Sequence, residues 1–372
     1  VGNLAEPRMI TGFEEFFNKC WWVAYGERCK VGKWWVKLGG DMAGKRKYVS
    51  EFSVGITSEG WLMITPDQLH ADGKMREEHQ IISDSCHIYM ICKRPKATCS
   101  PGTPTLEDGY LSGSIISRVS GEEVLSEYCF PFEFEEEECE IKVAPYPHRK
   151  IYTINSDGEE VRFWPSDIIA LHTGSKIYFE LEVLYVGQAY AEGKRTAIDR
   201  LKSHSTLQKI LAETMYDYPD DQVFIVMVQY DNYFLTSSFS GRDKEAIAGE
   251  EDNLRLKSII SNPLSLKEII CLSEAALIRY FQPKYNEIYK NNFPSLNQKV
   301  LSVCFGLDFS GLSVEIELCD SPFELYSDGI KARHHHTAAF NLVDESERLG
   351  FFTFSNGVDI PKTMDGTISM KK

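Results

Sequence analysis

A phenol, a guanidinium, an imidazole, a carboxylate and an amide follow one another through the middle of this 372-residue chain. Tyr185 ends the run Val183-Leu184-Tyr185 ahead of Val186, Gly187 and Gln188. Arg200 and His204 come next, four positions apart. Glu274 precedes Ala275-Ala276-Leu277-Ile278, and Asn286 closes Pro283-x-Tyr285-Asn286. Brought to one point, these groups suit cleavage of a phosphodiester. The Glu274 carboxylate is a hard oxygen ligand for Mg2+ or Mn2+. Such an ion polarises the phosphate and eases departure of the leaving oxygen. The Arg200 guanidinium would meet the charge that grows on the phosphoryl oxygens. A tyrosine titrates at about 10 when unperturbed, so as a base it needs neighbouring positive charge.

The flanking sequence indicates which elements must hold these groups. Residues 177–186 read as a strand or hairpin with Tyr185 near its end, and Gly187 frees the chain to turn. Thr196 to Glu213 predicts a helix capped by Thr196, which puts Arg200 and His204 on one face. Val223 to Val228 is nearly all apolar and reads as a buried strand. Ser265 and Glu268 have capping-box spacing. The helix they open carries Ile269, Ile270, Leu272, Ala276, Leu277, Tyr280 and Phe281, and Pro283 stops it. Residues 231–263, with Gly241, Gly249 and many charges, read as an insertion. Val300 to Phe305 and Leu312 to Leu318 read as strands.

This ordered set resembles the GIY-YIG nuclease superfamily. Tyr185-Val186-Gly187 resembles the second half of the family's name. Arg200 with His204 resembles its helix with the catalytic arginine. Glu274 with Pro283 and Tyr285-Asn286 resembles its metal-binding glutamate and terminal asparagine. The resemblance implies a small mixed sheet flanked by helices, and cleavage of DNA by one-metal hydrolysis. By carry-over, tyrosine activates the water, Arg200 stabilises the transition state, Glu274 binds Mg2+ or Mn2+, and Asn286 braces the site. No Gly-Ile-Tyr stands in the chain; Lys176-Ile177-Tyr178 is the nearest candidate and makes Tyr178 the first tyrosine. In one continuous strand, Tyr178 and Tyr185 would face opposite ways, so their convergence requires a hairpin between them. Arg195 is a rival to Arg200, which is preferred for its spacing to His204. The expected catalytic set is therefore Tyr185, Tyr178, Arg200, His204 and Asn286, with Glu274 on the metal. The resemblance covers about one third of the chain.

Composition bounds the rest. Lys plus Arg is 40 and Asp plus Glu is 55, a net charge of −15, which excludes a wholly basic nucleic-acid coat protein. An enzyme with a local positive groove remains open. With 43% hydrophobic and 26% charged residues the chain reads as globular. At about 150 residues per domain it holds two or three domains. The expected fold is α+β. A GIY-YIG-like module at 165–292 would lie between a β-rich domain at 1–150 and another at 297–372. Ten scattered cysteines without C-x-x-C point to reduced thiols in a cytoplasm. The first ten residues show no signal pattern, and no apolar run is long enough to span a bilayer. Gly-Lys-Ser/Thr and Gly-x-Ser-x-Gly are both missing, which speaks against nucleotide hydrolysis and esterase chemistry.

Weaker groups have plainer readings. His334-His335-His336 suits a surface or edge strand, and His87 between Cys86 and Cys92 suits packing. Glu135 to Glu138 suits a solvated loop. Trp34 and Trp35 among Lys30, Lys33, Lys37, Lys45, Arg46 and Lys47 suit a strand with a charged rim. The expected partner is a DNA substrate, with no membrane. A homo-oligomer or a regulatory protein partner would let one small site make a double-strand cut or be held in check. A stand-alone nuclease with accessory domains suits restriction or defence against foreign DNA. Two rivals stand beside it: a non-catalytic sensor or binding protein on a degenerate scaffold, and a nuclease for RNA.

Overall fold

The computed structural model describes residues 8–9, 46–70, 77–102, 104–190, 197–241, 244–318, 321–344, 348–352 and 367–368. The architecture is α+β, but its compact units cut across the expected boundaries. Among the described residues, those within 94–179 and 218–222 gather in one unit, and those within 46–93, 180–217 and 223–352 in the other. Residues 46–93 and 94–150 thus fall in different units, and the strands within 311–341 belong to sheets of the second unit. Among the described residues, no helix is long and apolar enough to cross a membrane. The expectations for Thr11 to Trp21, for Trp34 and Trp35, and for Arg195 and Thr196 lie outside the described residues.

The first unit is built on the hairpin Tyr110–Val119 and Glu122–Pro131. Its two-residue turn, Ser120-Gly121, has positive φ at both positions (54° and 83°). That is the turn whose twist matches the strands it joins. Strands Glu140–Val143, Lys150–Ile154 and Glu160–Pro165 form a second sheet. Cys99, Leu111, Ile115, Tyr128, Ile151, Ile169 and Tyr178 make the core. Glu138, expected in solvent, is buried and bound by Arg162 and Thr153. Burial alone would raise its carboxyl, but these partners outweigh it and hold the group below its ordinary value.

The second unit carries two sheets. Its strands are β1 (Ser50–Thr57), β2 (Gly60–Ile64), β3 (Cys86–Pro95), β4 (Glu180–Gln188), β5 (Asp221–Gln229), β6 (Tyr233–Phe239), β7 (Gly311–Glu317), β8 (Glu324–Ser327), β9 (Ile330–Arg333) and β10 (His335–Asn341). Six of them form a sheet in the order β9-β8-β4-β3-β5-β2; β6-β1-β7-β10 and the short strand Thr367–Ile368 form the other. The helices are α1 (Glu77–Ser85), α2 (Ala197–Leu201), α3 (Ser205–Asp217), α4 (Glu250–Ser261) and α5 (Leu266–Phe281). β3 and β5 are almost continuously buried, as their apolar runs require.

Several local expectations are corrected. β4 begins only at Glu180, and Lys176–Tyr178 is a 3-10 turn before it. No hairpin joins Tyr178 to Tyr185; β4 instead pairs antiparallel with β3, far earlier in the chain. The helix expected over 196–213 breaks between α2 and α3. Val300 to Phe305 is not a strand: it spans the 3-10 turn Lys299–Leu301 and the helix Ser302–Gly306. A short apolar run fits a buried strand and a buried helical turn equally well. Within 231–263, β6 pairs with β1 along its length, so the segment is part of a sheet. α5 begins as expected, with the reciprocal Ser265–Glu268 capping box, and ends at Phe281 before Pro283.

Candidate active site

The pairing of β3 with β4 sets Gly187 opposite Tyr89 and Tyr185 opposite Ile91. Both tyrosines pack in the cluster formed with Leu201 of α2 and Leu207 and Ile210 of α3; Tyr89 is buried there and Tyr185 half-buried. Their ring centroids are 6.2 Å apart, and the His204 ring lies 5.6 Å from Tyr89 and 5.4 Å from Tyr185. Gly187 does not turn the chain, since it lies within β4. It makes room: a Cβ there would come within 2.7 Å of the Tyr89 hydroxyl oxygen and 2.7 Å of the Tyr185 ring.

The protons in this cluster have a direction. His204 occupies the break between α2 and α3, where its Nδ1 accepts the Leu207 N–H at 3.2 Å and caps α3. The proton of the neutral ring is therefore on Nε2, which lies 3.2 Å from the Tyr89 hydroxyl and donates to it. Burial, with the nearby charge of Arg200, holds His204 below its ordinary pKa and keeps it neutral. Arg200, exposed at the end of α2, brings positive charge toward Tyr89 and acts to lower its pKa against burial. The Tyr185 ring lies beside the Tyr89 ring on the same face of the site. Burial holds Tyr185 above its ordinary value, and the Glu274 charge adds to that, against the charge of Arg200 and the neighbouring Tyr89 hydroxyl.

Glu274 sits mid-way along α5, half-buried, with its Oε2 accepting from Gln188 Nε2 at 2.7 Å. Burial pushes its carboxyl up to about 7, against the hydrogen bonds from Gln188 and the positive charge of Arg200. Tyr89 and Tyr185 both sense the Glu274 charge, so phenols, guanidinium and carboxylate form one electrostatic site. Among the described residues, no group of three or more His, Cys, Asp and Glu side chains converges. A divalent cation would therefore take Glu274 as its protein carboxylate and complete its shell with water and substrate phosphate, as Mg2+ commonly does. The half-buried Glu274 carboxylate is the kind of hard oxygen donor such an ion takes. Tyr289 belongs beside this group. It holds a left-handed backbone (φ 67°), and its phenol is raised by burial and by the charges of Glu274 and Cys271.

Asn286 works on the strand itself. Its Oδ1 accepts Val186 N–H at 2.9 Å and its Nδ2 donates to the Val186 carbonyl at 2.8 Å. The neighbouring Tyr285 N–H donates to the Leu184 carbonyl, and its hydroxyl to Glu213 at 2.6 Å. The segment after Pro283 thus clamps β4 on either side of Tyr185.

Tyr185, Arg200, His204 and Glu274 come together, and Asn286 braces their strand. Tyr178 does not join them. It is fully buried in the core of the first unit, where its hydroxyl pairs with Ser117 Oγ at 2.9 Å and its carbonyl is bound by Arg94. Sequence reading missed Tyr89, Gln188 and Tyr289. The Ile88-Tyr89 pair in an apolar run was the one available signal for the first of these. The three histidines do not converge on a metal. His336 is buried between Tyr280 and the Leu325 carbonyl, His335 faces Glu315, and His334 faces Glu324 and the Phe323 carbonyl. His87 packs against Tyr190. Compared with family models, with curated proteins and with solved structures, the chain matches none of them.

Proposed function

We propose that the second unit is a metal-dependent endonuclease of the GIY-YIG type that hydrolyses DNA phosphodiester bonds. The observation that carries this reading is the gathering of Tyr89, Tyr185, His204 and Arg200 within reach of the Glu274 charge, with His204 Nε2 3.2 Å from the Tyr89 hydroxyl. In this reading Ile88-Tyr89 supplies the first tyrosine, and the bulk of the first unit is inserted between the two tyrosine strands. Tyr185, as the anion, takes a proton from the attacking water. Tyr89 stands beside that anion, and His204 keeps Tyr89 oriented. Arg200 is exposed, so its guanidinium is placed to meet the phosphoryl oxygens as their charge grows. Glu274 would hold Mg2+ or Mn2+, which supplies charge for the leaving oxygen. Asn286 fixes Val186 and with it the aim of Tyr185.

Cleavage of matched DNA and RNA duplexes with Mg2+ or Mn2+ tests the assignment. DNA is expected to be cut and the Tyr185→Phe variant to be inert. Preference for RNA would change the substrate class, and inertness toward both would leave a binding or sensor protein.

A further inference from the structure

One side chain at the site touches two metal-ligating groups at once. Gln188 Nε2 lies 2.7 Å from Glu274 Oε2 and 3.8 Å from Cys271 Sγ, and its Oε1 lies 3.7 Å from the same sulfur. Cys271 and Glu274 are three apart on α5, so both project from one helix face. Pairs at this spacing hold one ion in helical metal proteins. The amide nitrogen, which carries partial positive charge, occupies the point that thiol and carboxylate both reach. Rotating the amide by a half-turn replaces that donor with Oε1, an oxygen ligand.

We infer that Cys271, Glu274 and Gln188 form a site for a thiophilic divalent cation of the zinc(II) class. The inference rests on the reading of Glu274 as a metal ligand and adds a second, softer ion to it. Thiolate and carboxylate together carry two negative charges, so a divalent cation leaves the half-buried site neutral. On binding, the sulfur–metal bond forms and the thiol proton passes to solvent. Sulfur prefers zinc to magnesium, whereas the carboxylate alone suits magnesium. A zinc ion here withdraws Glu274 from the hydrolytic ion, so zinc occupancy would silence cleavage.

The full chain is titrated with Cd2+ while the thiolate-to-cadmium charge-transfer absorption is followed, with Cys271→Ser and Glu274→Gln in parallel. Other thiols are present, among them the exposed Cys129 and Cys139, so the parent-minus-C271S difference isolates the site. The inference expects that difference band to saturate at one equivalent and to titrate away with Zn2+. Affinity should weaken by about tenfold or more in E274Q. An unchanged band in C271S, a band indifferent to E274Q, or one that Zn2+ leaves in place would overturn it. The optical readout needs no cleavage. A chain that shows the difference band but never cuts DNA would keep the cation site and lose the nuclease. A chain that cuts with Mg2+ but shows no difference band would do the reverse.

Discussion

At the scale of residues, the account turns on two phenols with unequal tasks. Tyr89 is buried against His204 and Tyr185 is half-buried beside it, so in the proposed reaction each is needed for a different reason. Tyr89→Phe and Tyr185→Phe are both expected to cut DNA about 10²–10⁴-fold more slowly, the usual worth of a positioned base. Tyr178→Phe should leave the rate unchanged and cost about 1 kcal/mol of stability through its lost Ser117 partner; single-turnover rates and thermal melts separate the two effects. Glu274 allows a test without substrate. Its folded-state pKa of about 7 lies above the unfolded value of about 4.3, so the folded chain binds that proton more tightly. Stability from this group is full below the unfolded value and is lost as pH rises toward 7. Glu274→Gln should therefore melt higher than the parent at pH 8 without metal, with the gap closing toward pH 4.5. A variant that melts lower at pH 8 would mark Glu274 as a structural residue. That Tyr185, Arg200, His204 and Glu274 gather, with Asn286 on their strand, was legible in their types and local spacing. Tyr89 was not, because its partner lies across a sheet rather than along the chain.

At the scale of elements, local signals told more than pairings did. The Ser265–Glu268 box and Pro283 framed α5 from sequence alone, and the apolar run of β5 marked a buried strand. The partner of β4 could not be read, since strand register depends on side-chain faces brought together from distant segments. The break between α2 and α3 was hidden because His204 caps α3 with a ring nitrogen, a role no capping pattern anticipates. Two changes probe the β3–β4 platform. Gly187→Ala should cost about 1–3 kcal/mol as its Cβ meets the tyrosines. Asn286→Ala should cost about 2–3 kcal/mol by stripping both backbone partners of Val186. Denaturant titration with unchanged slope checks both, and cleavage should fall in each variant while the chain remains folded.

At the scale of the whole molecule, composition set the class but not the partition. The α+β character was legible. The two units were not, because the first is assembled from segments on both sides of β3 and β4. A chain of net charge −15 has little general attraction for DNA, so the proposed nuclease would bind it through a few local cations such as Arg200. DNA affinity should fall with rising salt, but with a shallow log–log slope, corresponding to few phosphate contacts; filter binding at several salt concentrations measures it. The most direct test of the central claim is plasmid cleavage in Mg2+ or Mn2+ by the intact chain, set against Arg200→Ala and Glu274→Ala. The account predicts that the intact chain nicks or linearises the plasmid and that both variants leave it supercoiled. Cleavage by the variants at the parent's rate, or no cleavage by any of the three, would contradict it.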